Sequence, residues 1–238
     1  MATEPPIGNV LIGLVLLCLA LLLPESAWAK SCTPPTDGPE IKIKLVEGKL
    51  AQNSALGLQA LTRKMRPHED PALKSIYSFG LTSVEWRSKA DLQLTGMPSG
   101  ATAHCWYVAG ISMTITLRST VFVAKEIARD SCPWREVLNH EQKHVTLNAK
   151  MFARLPKELK PRIAAVAGGG ILSAKGQLAM ATFRPRIEKA IGAALDDFSA
   201  AREKQHRDEI DTKAEYDRVD AACPEAEWDA VFHRAGLK

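Results

Sequence analysis

The sequence predicts an α+β fold, in which an antiparallel sheet from the first half of the chain packs on helices from the second half. Two patterns support this prediction. Segments before residue 124 are rich in β-branched and aromatic residues, which is typical of strands. Segments after residue 132 repeat apolar residues at helical spacing. The chain has 238 residues, of which 46% are hydrophobic and 24% charged. This composition suits one globular domain, expected over residues 30–238.

The first half of the chain predicts strands joined by turns and one short helix. In order, the predicted elements are a strand over Glu40–Val46, a short helix over Ala55–Lys64, a loop over Arg66–Pro71, strands over Leu81–Trp86 and Ala90–Thr95, a turn over Gly96–Gly100 and a long β-type stretch over Ala103–Val123. In the first strand, Ile41, Ile43 and Leu45 alternate with lysines, which indicates one buried face. Gly110 predicts a break within the last stretch.

The second half predicts helices. Pro133 suits the first turn of a helix, where its missing N–H costs nothing. Arg154 and Pro156 mark the end of that helix. A second helical stretch leads to Gly168–Gly170, which lacks the spacing of a phosphate-binding loop. From Arg186 onward, apolar residues recur at helical spacing, and a very polar, helix-like segment follows.

The N-terminal segment predicts export from a bacterial cell. Val10–Leu23 is an unbroken apolar run of 14 residues, shorter than the roughly 20 residues that span a bilayer. Ala27–Ala29 has the small-x-small pattern of a signal-peptidase site. We therefore expect residues 1–29 to be a signal peptide and the mature protein to be periplasmic or secreted. Because Met1–Asn9 contains no Lys or Arg, an uncleaved N-terminal membrane anchor is the alternative.

The charge distribution argues against a nucleic-acid partner. Loss of residues 1–29 would remove Glu4 and Glu25 and no base, so the formal net charge would rise from +4 to +6. The Lys and Arg residues are interleaved with acids and form no basic stripe, and export also argues against nucleic-acid binding. We expect a solvated, mildly basic surface.

The clearest chemical pattern is His140-Glu141-Gln142-Lys143-His144 on the helix predicted from Pro133. Residues four apart on a helix differ by about 40° in direction, so the two imidazoles can share one Zn²⁺. Glu141 is turned by about 100° from His140 and borders the metal without binding it. A general base at that position can take a proton from a water molecule at the metal. The alternative is a helix that carries two unrelated histidines.

Four cysteines remain once Cys18 is removed with the signal peptide, and none of them forms a C-x-x-C motif. An even number in an oxidising compartment favours two disulfides, with three possible pairings, over buried thiols. We expect Cys105 to pair with Cys132, which would join the end of the sheet to the start of the metal-binding helix. Cys32 would then pair with Cys223 and join the two ends of the mature chain.

The segment from Trp134 to His144 resembles the W…L..HEQGH segment of the bacterial family of predicted secreted zinc-dependent proteases, domain of unknown function 922. Cys105-Trp106 upstream and Tyr216-Asp217 downstream agree with this resemblance. It extends loosely from Glu40 to Trp228. Two positions depart from the family pattern. Lys143 replaces a glycine inside the motif, and Ala222 stands where the family has a further histidine.

A catalytic zinc usually has three protein ligands and an open fourth position. Because Ala222 cannot bind a metal, the third ligand must be another residue. The candidates are Asp217, Asp220, Glu215, Asp208 and His206. We favour Asp217, because it belongs to the matched Tyr-Asp pair, although a solvated acid in a helix of alternating charge is the alternative. Tyr216 could donate to a developing oxyanion, although a packed tyrosine is the commoner case.

These observations predict an exported zinc metallohydrolase, and the resemblance implies a peptidase. His140, His144 and Asp217 would hold Zn²⁺, Glu141 would act as the general base, and the partner would be a peptide or protein substrate. A membrane would be a partner only if the N-terminal segment is uncleaved. The alternative is a non-catalytic envelope domain that keeps the metal site, or only its helix, for binding or structure.

Overall fold

The computed structural model describes residues 32–33, 35–65 and 77–237. The predicted signal peptide and the predicted loop over Arg66–Pro71 lie outside these residues. The described strands are β1 (Glu40–Glu47), β2 (Ala51–Asn53), β3 (Gly80–Pro98), β4 (His104–Val123) and β5 (Ile171–Ser173). The described helices are α1 (Leu58–Met65), α2 (Cys132–Phe152), α3 (Leu155–Ala167), α4 (Gly176–Glu209), α5 (Lys213–Ala221) and α6 (Glu225–Arg234). Within these ranges, no helix combines the length and the hydrophobicity that crossing a membrane requires.

Strand β4 is the centre of the sheet. Along one edge it pairs with β3 in antiparallel register, from Gly80 opposite Val123 to Pro98 opposite His104. Along the other edge it pairs in succession with three shorter strands. These are β5 (antiparallel, at residues 104–106), β1 (parallel, at 110–117) and β2 (parallel, at 120–122). Every strand of the described sheet therefore contacts β4.

The predicted α+β fold with an antiparallel sheet was wrong. Both β1 and β2 run parallel to β4, so the fold is α/β, with a sheet that contains parallel and antiparallel pairs. Helices also interrupt the order of strands, since α1 lies between β2 and β3, and β5 lies between α3 and α4. Alternation of apolar residues reports which side chains are buried, but it carries no information about the direction of the neighbouring strand.

The long strands differ from the predicted ones in continuity. The two strands predicted before residue 96 form one continuous strand, β3. The break predicted at Gly110 is a β-bulge instead. Gln93 pairs with Gly110 and Leu94 pairs with Val108, so Ala109 is an extra residue on β4. A bulge keeps the two strands paired while it switches which residues face the helices.

Two hydrophobic clusters form the core. The first contains the middle of β4, for example Ile115, together with α3, α4 and the second half of α2. The second contains the end of β4, α1, α5, α6 and Val137 from the first half of α2. Helix α2 therefore spans both clusters. Its segment from His140 to His144 lies between Val137, in the second cluster, and Leu147, in the first.

The four cysteines form two disulfides, as predicted, but the predicted pairing was wrong. The bonds are Cys32–Cys105 and Cys132–Cys223, with Cα–Cα distances of 5.5 and 5.7 Å. The N-terminal segment lies beside the start of β4, where the Tyr107 hydroxyl donates to the carbonyl of Thr33 at 2.8 Å, and this places Cys32 at Cys105. Helix α6 lies at the start of α2, where the Cys132 amide donates to Glu227 at 3.1 Å. Two disulfides are typical of an oxidising, extracellular environment.

Candidate metal site

Helix α2 presents the HEQKH motif on a buried surface. The helix begins where predicted, because the Ser131 hydroxyl accepts from the Trp134 amide and Pro133 lies in the first turn. His140 is 8% exposed, Glu141 is 4% exposed and His144 is 7% exposed. Polar side chains buried to this extent need partners, and the partners come from β3, α4, α5 and the turn between α4 and α5.

The two histidines converge with an aspartate. His140 Nε2 and His144 Nε2 are 3.2 Å apart. Asp211 Oδ1 lies 3.4 Å from His140 Nε2 and 3.2 Å from His144 Nε2. Three ligand atoms from three residues therefore lie within mutual contact, and this group can hold a metal ion.

Asp211 is held by the two residues that flank it. Ile210, which precedes it, is only 6% exposed and packs in the first hydrophobic cluster. Thr212, which follows it, caps helix α5 by accepting from the Glu215 amide at 3.2 Å. Because the chain is anchored on one side and capped on the other, the Asp211 carboxylate has little freedom to leave the histidines.

The electrostatics favour an anionic aspartate between the histidines. Burial by itself raises the pKa of Asp211, but hydrogen bonds from His140 and His144 outweigh burial and hold that pKa well below its ordinary value. Burial by itself lowers the pKa of His140, but the carboxylates of Asp211, Glu141 and Glu215 together outweigh it and leave that pKa above the ordinary value. The carboxylate is therefore ionised, as a metal ligand must be.

His144 also contacts a third histidine, His206, through the ring nitrogen that does not face Asp211. His206, in the last turn of α4, has its Nδ1 2.5 Å from Nδ1 of His144. The rings differ by only 8° in tilt, with centroids 4.7 Å apart. Two parallel rings can be stacked face to face or can lie side by side in one plane. Here the centroid distance of 4.7 Å exceeds the Nδ1–Nδ1 distance of 2.5 Å by about two ring radii, so the rings lie side by side with their edges in contact.

The proton positions in this chain follow from its last member. His206 Nε2 donates to Oδ1 of Asn148, a residue that is 1% exposed, at 2.9 Å. Nδ1 of His206 is then the acceptor for the Nδ1–H of His144, and Nε2 of His144 is directed at Asp211 and His140. Burial, with the charges of His144 and Arg202, lowers the pKa of His206 to about 4, in agreement with a neutral ring.

Helix α5 supplies the surroundings of His140. Glu215 Oε1 lies 3.5 Å from His140 Nδ1, and the same oxygen accepts from Lys143 at 2.6 Å and from Arg218 at 2.9 Å. Hydrogen bonds from Arg218 lower the pKa of Glu215. The Tyr216 hydroxyl donates to Asp211 Oδ1 at 3.1 Å. Lys143, at the position of the family's glycine, thus joins α2 to α5.

Glu141 points to strand β3. The Thr82 hydroxyl donates to Glu141 Oε2 at 2.7 Å. Gly80 allows this approach, since a Cβ at that position would lie 2.5 Å from Glu141 Oε1. Burial raises the pKa of the Glu141 carboxyl above its ordinary value. A carboxyl whose pKa is raised toward neutrality can both accept and release a proton.

The structure does not bring Asp217 into the group around the histidines. Its carboxylate is 62% exposed and accepts from Lys213 at 2.6 Å. Ala222, the position of the family's histidine, lies beside the Cys132–Cys223 bond, where its carbonyl is 3.5 Å from Cys132 Sγ. Eight residues of helix separate Cys132 from His140, which is about 12 Å. Residue 222 therefore lies near the start of α2, far from His140 and His144.

The sequence did contain a signal for Asp211. Thr212 and Glu215 match the T-x-x-E pattern of a helix start, and Ile210 is an isolated apolar residue in a very polar segment. Together these features indicate a turn that is anchored at Ile210, rather than the continuous helix that the segment suggested. His206 and Glu215, which were among the alternatives for the third ligand, lie around the site as partners of His144 and His140.

In comparisons with known proteins, no family model, no curated protein and no solved structure matches this chain. The resemblance of residues 134–144 to the zinc-dependent protease family therefore stays a prediction.

Proposed function

We propose that this protein is an exported zinc-dependent metallohydrolase, and that it acts as a peptidase with His140, His144 and Asp211 as metal ligands. The triangle formed by the three ligand atoms carries the proposal. Its edges are 3.2, 3.2 and 3.4 Å. Ligands of a tetrahedral zinc at about 2.0–2.1 Å lie about 3.3–3.4 Å from one another. Two imidazoles and one carboxylate, with a fourth position left to solvent, are also the donor set of known catalytic zinc sites.

The groups around the ligands suit a metal with a positive charge. The Nδ1–H of His144 is donated to His206, so the nitrogen of this ring that is available to a metal is Nε2, which faces Asp211 and would bind after losing its proton. The Glu215 carboxylate lies behind the Nδ1 of His140, an arrangement that increases the basicity of a histidine ligand. A bound zinc would supply a Lewis acid that polarises a carbonyl and makes water easier to deprotonate.

Glu141 is the proposed general base. It lies next to a ligand in the chain, its pKa is raised by burial, and it is not one of the three converging groups. The Thr82 hydroxyl fixes one carboxylate oxygen, so the carboxylate has a defined orientation when it accepts a proton from water and passes it to the leaving amine.

The neighbouring strand supports a peptide as substrate. β3 carries Thr82, and it pairs with β4 along one edge only among the described strands. An extended peptide can bind to an open strand edge through main-chain hydrogen bonds. Export is supported by the two disulfides and by the predicted signal peptide, and we propose a periplasmic or secreted location without a nucleic-acid partner.

Substitution of Glu141 by glutamine tests the proposed activity. The amide keeps the size of the side chain but cannot accept the proton, and general-base catalysis contributes roughly 10²–10⁴ in rate. We expect Glu141→Gln to keep its zinc and to lose peptide cleavage by a factor in that range. The measurement is chelator-sensitive cleavage of a mixed peptide library, with metal content determined in parallel. Glu158→Gln, an exposed substitution of the same kind on α3, is the control.

The alternative function is a non-catalytic metal-binding domain of the envelope. The observation behind this alternative is the hydrogen bond between Thr82 and Glu141, because a carboxylate held in this way can have a purely structural role. Bound zinc without cleavage in either the wild type or the Glu141→Gln variant would support this alternative. Equal cleavage by both proteins would show that the activity arises elsewhere and would contradict the proposed mechanism.

A further inference from the structure

Arg202 is a mostly buried cation whose counter-ion among the described residues is distant. Its side chain is only 17% exposed, and its Nε is buried with no hydrogen-bond partner among the described residues. In the part of the chain that the structure describes, its ion-pair partner is Glu203, at 4.0 Å, and the Glu203 side chain is 63% exposed. Adjacent residues on a helix do not face each other, so this contact compensates little. Burial lowers the pKa of the Arg202 guanidinium, which is a sign of the same cost.

The position of Arg202 connects it to the metal site. Helix α4 places Phe198, Arg202 and His206 four residues apart, and therefore on one face. Phe198 contacts Trp86 of β3, with ring centroids 5.3 Å apart, whereas His206 contacts the ligand His144. Arg202 lies between these two contacts.

Strand β3 runs along the same interval. Thr82 contacts Glu141 and Trp86 contacts Phe198. Four residues of strand cover about 13 Å, and the eight residues from Phe198 to His206 cover about 12 Å of helix. The strand and the helix therefore lie side by side from the metal site to Trp86, and Arg202 is halfway along that seam.

We propose that the Arg202 guanidinium binds a carboxylate group of the substrate beside the metal site. This inference rests on the proposed function, since it takes the seam between β3 and α4 as part of the substrate site. A guanidinium that is mostly buried and has only a long contact with an exposed acid is costly for the folded protein alone, and a bound carboxylate would provide a close counter-charge and two hydrogen bonds. The carboxylate can be the C-terminus of a peptide or an acidic side chain, and the two sources differ in the test below.

The test measures binding without turnover. Zinc-loaded Glu141→Gln protein is titrated calorimetrically with three peptides: acetyl-trialanine as the free acid, the same peptide as its C-terminal amide, and acetyl-Ala-Asp-Ala amide. The same titrations are made with two double variants, in which Glu141→Gln is combined with Arg202→Met or with Arg207→Met. Arg207 is the matched control, because it lies at an exposed position of α4. We expect at least one carboxylate peptide to bind more tightly than the neutral amide.

Arg202→Met should weaken the binding of that carboxylate peptide by roughly 10- to 100-fold, which is the range for hydrogen bonds to charged groups. Arg202→Met should leave the binding of the neutral amide unchanged. The control variant Arg207→Met should bind all three peptides like the parent Glu141→Gln protein. Preference for the free acid would identify a C-terminal carboxylate, and preference for the Asp peptide would identify an acidic side chain. Equal affinity for acids and amides, no binding at all, or no effect of Arg202→Met would overturn the proposal.

Thermal unfolding provides a second, independent measurement. Because a mostly buried charge with so distant a counter-ion is unfavourable, Arg202→Met should raise the Tm of the peptide-free protein by about 2–4 °C. A lower Tm would indicate that Arg202 stabilises the fold and would overturn the inference. The two proposals fail separately: unchanged cleavage in Glu141→Gln contradicts the proposed function, whereas unchanged peptide affinity in Arg202→Met contradicts only the carboxylate site.

Discussion

The candidate metal site has two sides that the chain builds in different ways. On one side, His140 and His144 are placed by the regular geometry of α2, and a helix of any stability sets their spacing. On the other side, Asp211 occupies a turn between two helices and depends on a buried neighbour, a cap and tertiary packing. Local geometry therefore provides two of the candidate ligands, and the tertiary fold provides the third.

Removal of one ligand from each side is expected to have the largest effect. His144→Ala on α2 and Asp211→Ala in the turn should each weaken zinc binding by more than about 100-fold, because loss of an outer-shell partner alone costs 10–100-fold. The measurement is competition for zinc with a chelator of known affinity. Asp217→Ala is the control, since the exposed Asp217 carboxylate pairs with Lys213.

Normal zinc binding by Asp211→Ala, together with weak binding by His144→Ala, would contradict the statement that both sides of the site supply ligands. The turn would then have no role in metal binding. A loss of zinc in Asp217→Ala together with normal binding in Asp211→Ala would restore the ligand that the sequence suggested.

The support behind His144 should have an intermediate effect. His206→Ala removes the acceptor for the Nδ1–H of His144, and we expect zinc affinity to fall by about 10- to 100-fold. His206→Gln can still accept that hydrogen bond through its amide oxygen and should lose less. His233→Ala, at an exposed position of α6, should bind zinc normally in the same competition assay. Equal affinities for His206→Ala and His233→Ala would show that His144 needs no such support.

The smallest effect is expected at Tyr216. Tyr216→Phe removes one hydrogen bond to Asp211 and leaves the ring beside His140. A hydrogen bond to a charged group at a half-exposed position is worth about 1 kcal/mol, so zinc affinity should fall by less than about tenfold. A loss as large as that of Asp211→Ala would instead make Tyr216 essential to the position of the carboxylate.

The same contrast explains how much of the fold could be predicted. Helix α2 was predicted almost to the residue, because Pro133 and the spacing of its apolar residues are local signals. The long strands were also found, since burial alternates along β1 and β4, whereas the three-residue strands β2 and β5 were not predicted. The direction of pairing was not, because β1 meets β4 across an interval of more than sixty residues that no local pattern describes.

The site divides in the same way. The two histidines and Glu141 were predicted from a single motif, whereas Asp211 was missed. The polar segment after α4 contains many acids at helical spacing, so residue type alone could not distinguish Asp211 from Asp217. Only the buried Ile210 and the cap at Thr212 separate them. The prediction of the disulfide pairing was wrong for a related reason. The pairing depends on which segments pack together and not on the order of the cysteines in the chain.

The Cys132–Cys223 bond would link metal binding at the candidate site to the oxidation state of the protein. It joins the start of α2 to the end of the α5 segment, and Asp211 lies just before α5. The crosslink therefore increases the effective concentration of this carboxylate at the two histidines. Such coupling is reciprocal, so the factor by which the disulfide tightens metal binding is also the factor by which bound metal disfavours opening of the disulfide. If the site binds a metal as proposed, the metal-loaded protein should resist reduction of this disulfide more than the metal-free protein.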